Sequence, residues 1–147
     1  MIVGDSATSE QYMKSLLKLA EKNSSVIFSG YQYGAVLEEL YSNALAVVSA
    51  SELEGLPIVL LEALSYGAMC VTSDIGPHRE VTETLQGQSF PVGDIQAIST
   101  CLDLVEHMTE KRFDDFKQEA IAMVSSRFNW EKTCSEHDRM YQKSLGN

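Results

Sequence analysis

The chain has 147 residues, is 44% apolar, and carries a formal charge of −10. That length suits one domain with a real core, and the acidity excludes nucleic acid and anionic membrane as partners, both of which select for basic surfaces. No apolar run approaches the ~20 residues that span a bilayer, and the start has no basic region followed by a long apolar stretch, so no signal peptide is read. Three scattered cysteines, Cys70, Cys101 and Cys134, form no Cys-x-x-Cys pair. They argue against a disulfide framework or a zinc site and favour a reducing, cytoplasmic setting.

Short apolar runs then alternate with longer amphipathic ones. "MIV" reads as the end of a strand, followed by the loop "GDSATS" and a helix from about Glu10 to Lys22 with Ser9 as N-cap. "SVIFSG" is the next strand, and a helix from about Ala35 to Asn43 follows. "ALAVVSA" is continuously apolar, as expected of a strand covered on both faces of a parallel sheet. A helix over 57–66 ends at Gly67, before the strand "AMCVTS". "HREVTETL" predicts a short helix, and "QSFPV" a brief edge strand, since Pro91 suits an edge. Ile95 to Leu145 reads as three helices. Strand–helix alternation of this kind predicts an α/β fold with a Rossmann-like parallel sheet flanked by helices. Ligands of such sheets bind outside the carboxyl ends of the strands, here the loops "GDSATS", "SGYQYG", "SASELEGLP" and "SDIGPH". Because Met1 stands directly before strand-like Ile2 and Val3, the chain reads as a fragment lacking an upstream strand and helix.

From Asn23 to Glu110 the only Lys or Arg is Arg79. An anion bound by this stretch must therefore be met mainly by backbone N–H groups and helix N-termini. The stretch "ELEGLPIVLLEALSYG" offers such a site. Pro57 fits the first turn of a helix, and Gly55 permits a tight turn and a close approach to a ligand. The helix it opens is apolar nearly all round, which predicts burial on most sides. A carboxylate at Glu62 then needs partners: Arg79, or the hydroxyls of a ligand, unless it snorkels to the surface. Glu54, on pattern alone, reads first as a solvated loop acid. His78, at a strand end, is a lesser candidate for the same site. Arg79 and Glu80 read as local ion pairs or a helix start, and Trp130 as packing the last helix onto the domain. Cys70, in its apolar run, reads as core.

The stretch "ELEGLPIVLLEALSYGAMCVTSDIGPHREV" resembles the signature of the retaining GT-B-fold glycosyltransferases of family 4, or group 1, in which two Glu residues lie eight apart with Gly-x-Pro after the first. Glu54, Gly55, Leu56, Pro57, Glu62, Ala63 and Gly67 carry the match, and "IVGD", "VIFSGYQ", "LYSNALAVVSAS", "FPVGD" and "FNWEKTCSEHDRMYQ" follow the family in order. The resemblance implies that residues 1–147 are a single nucleotide-sugar-binding domain, a truncated C-terminal half of the GT-B fold. It implies Glu54 as the candidate catalytic residue, bonded to hydroxyls of the transferred sugar. Backbone N–H groups around Leu56 and Ile58 would meet the sugar and diphosphate, with Gly55 and Pro57 shaping that turn; Glu62 would take the ribose, Gly30, Tyr31 and Gln32 the base, and Gly4 would line the same crevice. It further implies a nucleotide-diphosphate sugar as substrate, an acceptor bound by an absent N-terminal domain, neither metal nor cofactor, and a role in polysaccharide or glycoconjugate synthesis. Peripheral membrane attachment of the full-length protein is compatible with it. The Arg and Lys that such donor sites also use fall upstream of this chain, so the isolated chain is expected to be inactive, or nearly so, and a weak donor binder. Two other readings stand beside this one: a GT-B-fold epimerase or phosphorylase, and a non-enzymatic flavodoxin-like module using Asp5, Thr72 and Ser73. Against the second, no Lys occurs between Lys22 and Lys111.

Overall fold

The computed structural model describes residues 1–5 and 10–146; the N-cap expected at Ser9 lies outside them. The chain divides into two compact units, Met1–Glu39 and Leu40–Asn147.

In the first unit the two expected strands shrink to isolated bridges, Ile2 with Phe28 and Gly4 with Gly30. The pairing is carried by Ile2 N–H to the Ile27 carbonyl at 2.7 Å, Ser29 N–H to Ile2 at 3.0 Å and Gly4 N–H to Gly30 at 2.8 Å. Ile2 and Val3 stay exposed, so two short segments without a buried face hold only a minimal ladder. Helix α1, Glu10–Ala20, has no buried residue. Its sequence has the spacing of an amphipathic helix, yet its apolar residues are at most half-buried. Helix α2, Gly34–Asn43, begins in this unit and ends in the next.

The second unit holds a three-stranded parallel sheet in the order β1 (Val47–Ser49), β2 (Cys70–Ser73), β3 (Gln88–Phe90). Between them run α3 (Ile58–Ser65) and α4 (Gly76–Thr82); α5 (Ile95–Glu106), α6 (Glu110–Arg127) and α7 (Trp130–Ser144) follow. Burial on both faces, expected of "ALAVVSA", holds instead for β2, whose four residues are all buried. β1 is an edge of the sheet and leaves Val48 exposed. Helix α3 packs on α6 and touches β1, β2 and α4, while α5 lies on β3 and β2. Leu60, Leu64, Met69, Val71, Val81, Phe90, Val105 and Phe116 fill the core between them, each large aliphatic or aromatic side chain contributing about 1.5–3 kcal/mol of burial. Asp94 caps α5 through the Ala97 N–H at 2.9 Å, and Asn129 caps α7 through the Lys132 N–H at 2.8 Å.

Two expectations about side chains fail here. Trp130 is 82% exposed, because α7 has no buried residue and so offers the indole no packing surface. The helix over 57–66 is not buried on most sides. Only Leu60, Ala63 and Leu64 are buried, whereas Ile58, Val59, Glu62 and Ser65 form an exposed face. Neighbouring elements cover α3 from one side, and its uniform apolar composition carries no signal of which side.

Candidate functional site

The site expected from sequence is built on the segment joining β1 to α3. Residues Ala50 to Leu56 leave the carboxyl end of β1, and Pro57, at φ −77° and ψ 80°, stands at the N-cap with no side chain capping the helix. Leu60 and Leu61 N–H groups both return to the Pro57 carbonyl, at 3.0 and 3.1 Å. The Ile58 N–H, expected to face a ligand, is turned onto the Leu56 carbonyl at 2.9 Å. So tight a three-residue contact is a weak one, which a ligand oxygen can replace. At the far end Gly67 adopts φ +75°. Its N–H reaches Leu64 and the Ala68 N–H reaches Ala63, both at 3.0 Å, the paired bonds of a Schellman stop. A fixed beginning and a fixed end thus set the angular position of every side chain on α3.

Glu54 is half-buried, and Oε1 accepts the Ser51 hydroxyl at 2.7 Å. The Ser51 carbonyl in turn accepts the Ser73 hydroxyl from the end of β2. Ser73 leads to His78, fully buried at the start of α4. His78 Nδ1 lies 3.0 Å from the Ser73 carbonyl and 3.1 Å from its hydroxyl, and Nε2 lies 3.2 Å from the Ser49 hydroxyl. A carbonyl only accepts, so Nδ1 carries the proton and Nε2 accepts from Ser49. This chain of bonds ties the carboxyl ends of β1 and β2 to each other and to the root of the Glu54 loop. His78 is therefore a buried tie between the two strand ends and presents no surface to solvent.

Glu62, in the second turn of α3, is exposed, and so does not carry the desolvation expected of it. Its partner is not Arg79, which instead pairs with Asp74 at 3.1 Å as one of the local ion pairs expected there. Tyr41 of α2 takes that place, its hydroxyl donating to Glu62 Oε2 at 3.3 Å. The Tyr41 ring stacks on Tyr66 with centroids 5.9 Å apart. Burial, with the neighbouring Glu62 charge, pushes the Tyr41 phenol up to about 12, so it remains a donor across the working pH range. The Ser51 and Tyr41 bonds fall on Glu54 Oε1 and Glu62 Oε2, and the second oxygen of each carboxylate is chemically able to accept hydroxyl hydrogens. Cys70 is buried, and that burial pushes its thiol up to about 12, which makes it the inert core residue expected.

Gly4, Gly30, Tyr31 and Gln32 belong to the first unit. Gly4 (φ +114°) and Gly30 (φ +65°) face each other in one bridge, where a side chain would strain the backbone. Tyr31 donates its hydroxyl to the Asp5 carbonyl at 3.0 Å and stacks on Tyr33, and the Gln32 amide donates to Ser29. These four therefore gather at one end of the short ladder. Glu54, Gly55, Leu56, Pro57, Ile58 and Glu62 gather on the second unit. Sequence reasoning missed Tyr41 and Ser51, and named Ser73 only for the flavodoxin-like alternative. The serines were visible as small polar residues at strand ends, but their role depends on the pairing of β1 with β2. Among the described residues no cluster of His, Cys, Asp or Glu is arranged to hold a metal ion, and no helix is long and apolar enough to cross a membrane.

The family model described as "Glycosyl transferases group 1" matches residues 1–132. Lipopolysaccharide 1,6-galactosyltransferase of Salmonella typhimurium (strain LT2) is 32% identical over 111 residues, which cover 73% of this chain and 29% of that protein. Sucrose-phosphate synthase from Thermosynechococcus elongatus shares the fold with a TM-score of 0.83 at 19% identity, over 97% of this chain and 37% of its own. TarM does so with a TM-score of 0.73 at 20% identity, over 95% of this chain and 28% of its own. The chain thus spans between 28% and 37% of these proteins, and its α/β architecture is one found within GT-B glycosyltransferases.

Proposed function

The chain belongs to the group 1 glycosyl transferases, and from that premise we propose that it forms the nucleotide-sugar-binding part of a retaining glycosyltransferase. The observation that carries this reading is the segment joining β1 to α3. It carries Glu54 just before an uncapped helix N-terminus, and α3 carries Glu62 in its second turn; each carboxylate accepts a protein hydroxyl through one oxygen, from Ser51 and Tyr41 respectively. Carboxylates accept hydroxyl hydrogens in charge-assisted bonds, and a helix N-terminus favours phosphate. A nucleoside diphosphate sugar has those groups in that order: sugar hydroxyls, diphosphate, ribose hydroxyls.

In this reading Glu54 Oε2 takes hydroxyls of the transferred sugar, and Glu62 Oε1 takes the ribose. The N–H groups of Gly55, Leu56 and Ile58 face the diphosphate, the Ile58 N–H exchanging the Leu56 carbonyl for a phosphate oxygen. As the bond from the anomeric carbon to the diphosphate breaks, its electron pair leaves with the phosphate oxygen. The acceptor hydroxyl forms the new glycosidic bond, and its proton passes to the departing diphosphate. Backbone dipoles aimed at the growing negative charge lower the barrier, so the site calls for no metal. The relative's name makes a galactose donor the first to try, and a saccharide of a cell-surface glycoconjugate the first acceptor. The acceptor belongs to a part of the protein other than these residues, so this chain by itself binds donor without completing transfer.

Calorimetric titration of UDP, GDP and ADP, with and without their sugars, into this chain tests the reading. One nucleotide is expected to saturate, with affinity about tenfold lower in Glu62→Ala, the loss expected for a bond to a charged group. Binding of none of them, or equal binding by the variant, contradicts it.

A further inference from the structure

Glu62 lies on an exposed helix face, where a Glu side chain samples several rotamers and loses up to roughly 2 kcal/mol of entropy when fixed. Tyr41 acts against that freedom. Its ring is buried and stacked on Tyr66, which caps the carboxyl end of α3, with 20° between the ring planes. A phenol held on two sides has one direction for its hydroxyl, and in that direction lies Glu62 Oε2, at 3.3 Å. The bond uses one carboxylate oxygen and leaves Oε1 for a ligand. The geometry is therefore that of a pre-positioned acceptor, and its open atom suits paired hydroxyls.

We propose that Tyr41 is the positioning residue of the nucleotide site, holding Glu62 in the orientation that selects a ribose with its hydroxyls over a sugar without them. The proposal deepens the donor-site reading and rests on Glu62 being the ribose partner. Tyr41 itself touches no substrate; it acts through Glu62 alone. A structural role for Tyr41 would change stability and weaken all ligands alike. A positioning role changes discrimination between ligands.

The test uses UDP, GDP and ADP, each beside its 2′,3′-dideoxy counterpart, titrated into the wild-type chain, Tyr41→Phe, Glu62→Ala and the double variant. Phenylalanine keeps the ring on Tyr66 and removes only the hydroxyl, so the fold is retained. Wild type should prefer the ribonucleotide about tenfold, and Tyr41→Phe should cut that preference to about threefold without changing affinity for the dideoxy form. In the Glu62→Ala background the same change should do nothing, the signature of two residues acting as one unit. An equal loss for both nucleotide forms, or a loss that persists without Glu62, overturns the proposal. If Glu62→Ala leaves the preference for ribose intact, the ribose assignment itself is wrong. A chain that binds none of the six nucleotides sinks the donor-site reading and the inference together.

Discussion

Replacing His78 is the sharpest perturbation of the scaffold beneath the site. The ring is fully buried and bonds the ends of two strands, Ser49 on β1 and Ser73 on β2. His78→Ala removes two hydrogen bonds between neutral groups, each contributing about 1 kcal/mol. The Ser73 carbonyl keeps a second donor, the Ile75 N–H at 2.9 Å, so no full desolvation penalty is added there. Loss of the ring from a packed site adds roughly 1–2 kcal/mol for the cavity. The expected cost is then about 3–4 kcal/mol, a large share of the ~5–15 kcal/mol that holds a domain folded. Urea denaturation followed by far-UV circular dichroism measures it. With a slope of about 1.5 kcal/mol per molar, the midpoint should fall by about 2 M at unchanged slope. His78→Leu fills most of the volume without the bonds and should cost about 2 kcal/mol, separating the two contributions. A loss under about 1 kcal/mol for His78→Ala would refute the placement of His78 as the tie between β1 and β2.

Three further outcomes are expected. Gly67→Ala places a Cβ at φ +75°, against Lys117 Cγ; the flexible Lys117 chain can yield but the backbone cannot, so thermal unfolding should report a loss of about 1–2 kcal/mol. Asp94→Ala removes the α5 cap on Ala97, and denaturant unfolding should show about 1 kcal/mol lost. Burial raises the Cys70 thiol from an ordinary value near 9 to about 12, so the folded state retains its proton where the unfolded state releases it. That contribution is intact below about pH 9 and declines as pH rises toward 12. At pH 8 a thiol reagent should modify exposed Cys134 readily and Cys70 only on unfolding, as mass spectrometry of the labelled chain would show.

The order of elements was legible because the chain marks its own boundaries. Pro57 before an apolar run and Gly67 after it delimit α3 to within a residue, and Asp94 and Asn129 stand where caps belong. The pair Glu54 and Glu62 was legible as a motif. Their surroundings were not. Sequence periodicity cannot say that α6, β1 and β2 cover α3 from one side, so Glu62 was expected in a buried setting and is exposed. The tie through His78 exists only because β1 and β2 are adjacent and parallel, which brings Ser49 and Ser73 to the same imidazole from 24 residues apart in the chain. Tyr41 reaches Glu62 across 21 residues for the same kind of reason. Trp130 shows the converse, since an aromatic residue opening an amphipathic helix reads as packing yet is exposed when that helix buries nothing.

The most direct test of the two-carboxylate site compares one nucleotide with its sugar conjugate across two variants. Isothermal titration of UDP and UDP-galactose, extended to the GDP and ADP pairs, into wild type, Glu54→Gln and Glu62→Ala gives the full set of affinities. With Glu54 on the transferred sugar and Glu62 on the ribose, Glu54→Gln should weaken only the sugar conjugate, while Glu62→Ala should weaken the conjugate and the bare nucleotide by the same factor. Equal effects of Glu54→Gln on both ligands, or no effect of Glu62→Ala on the bare nucleotide, would contradict the assignment.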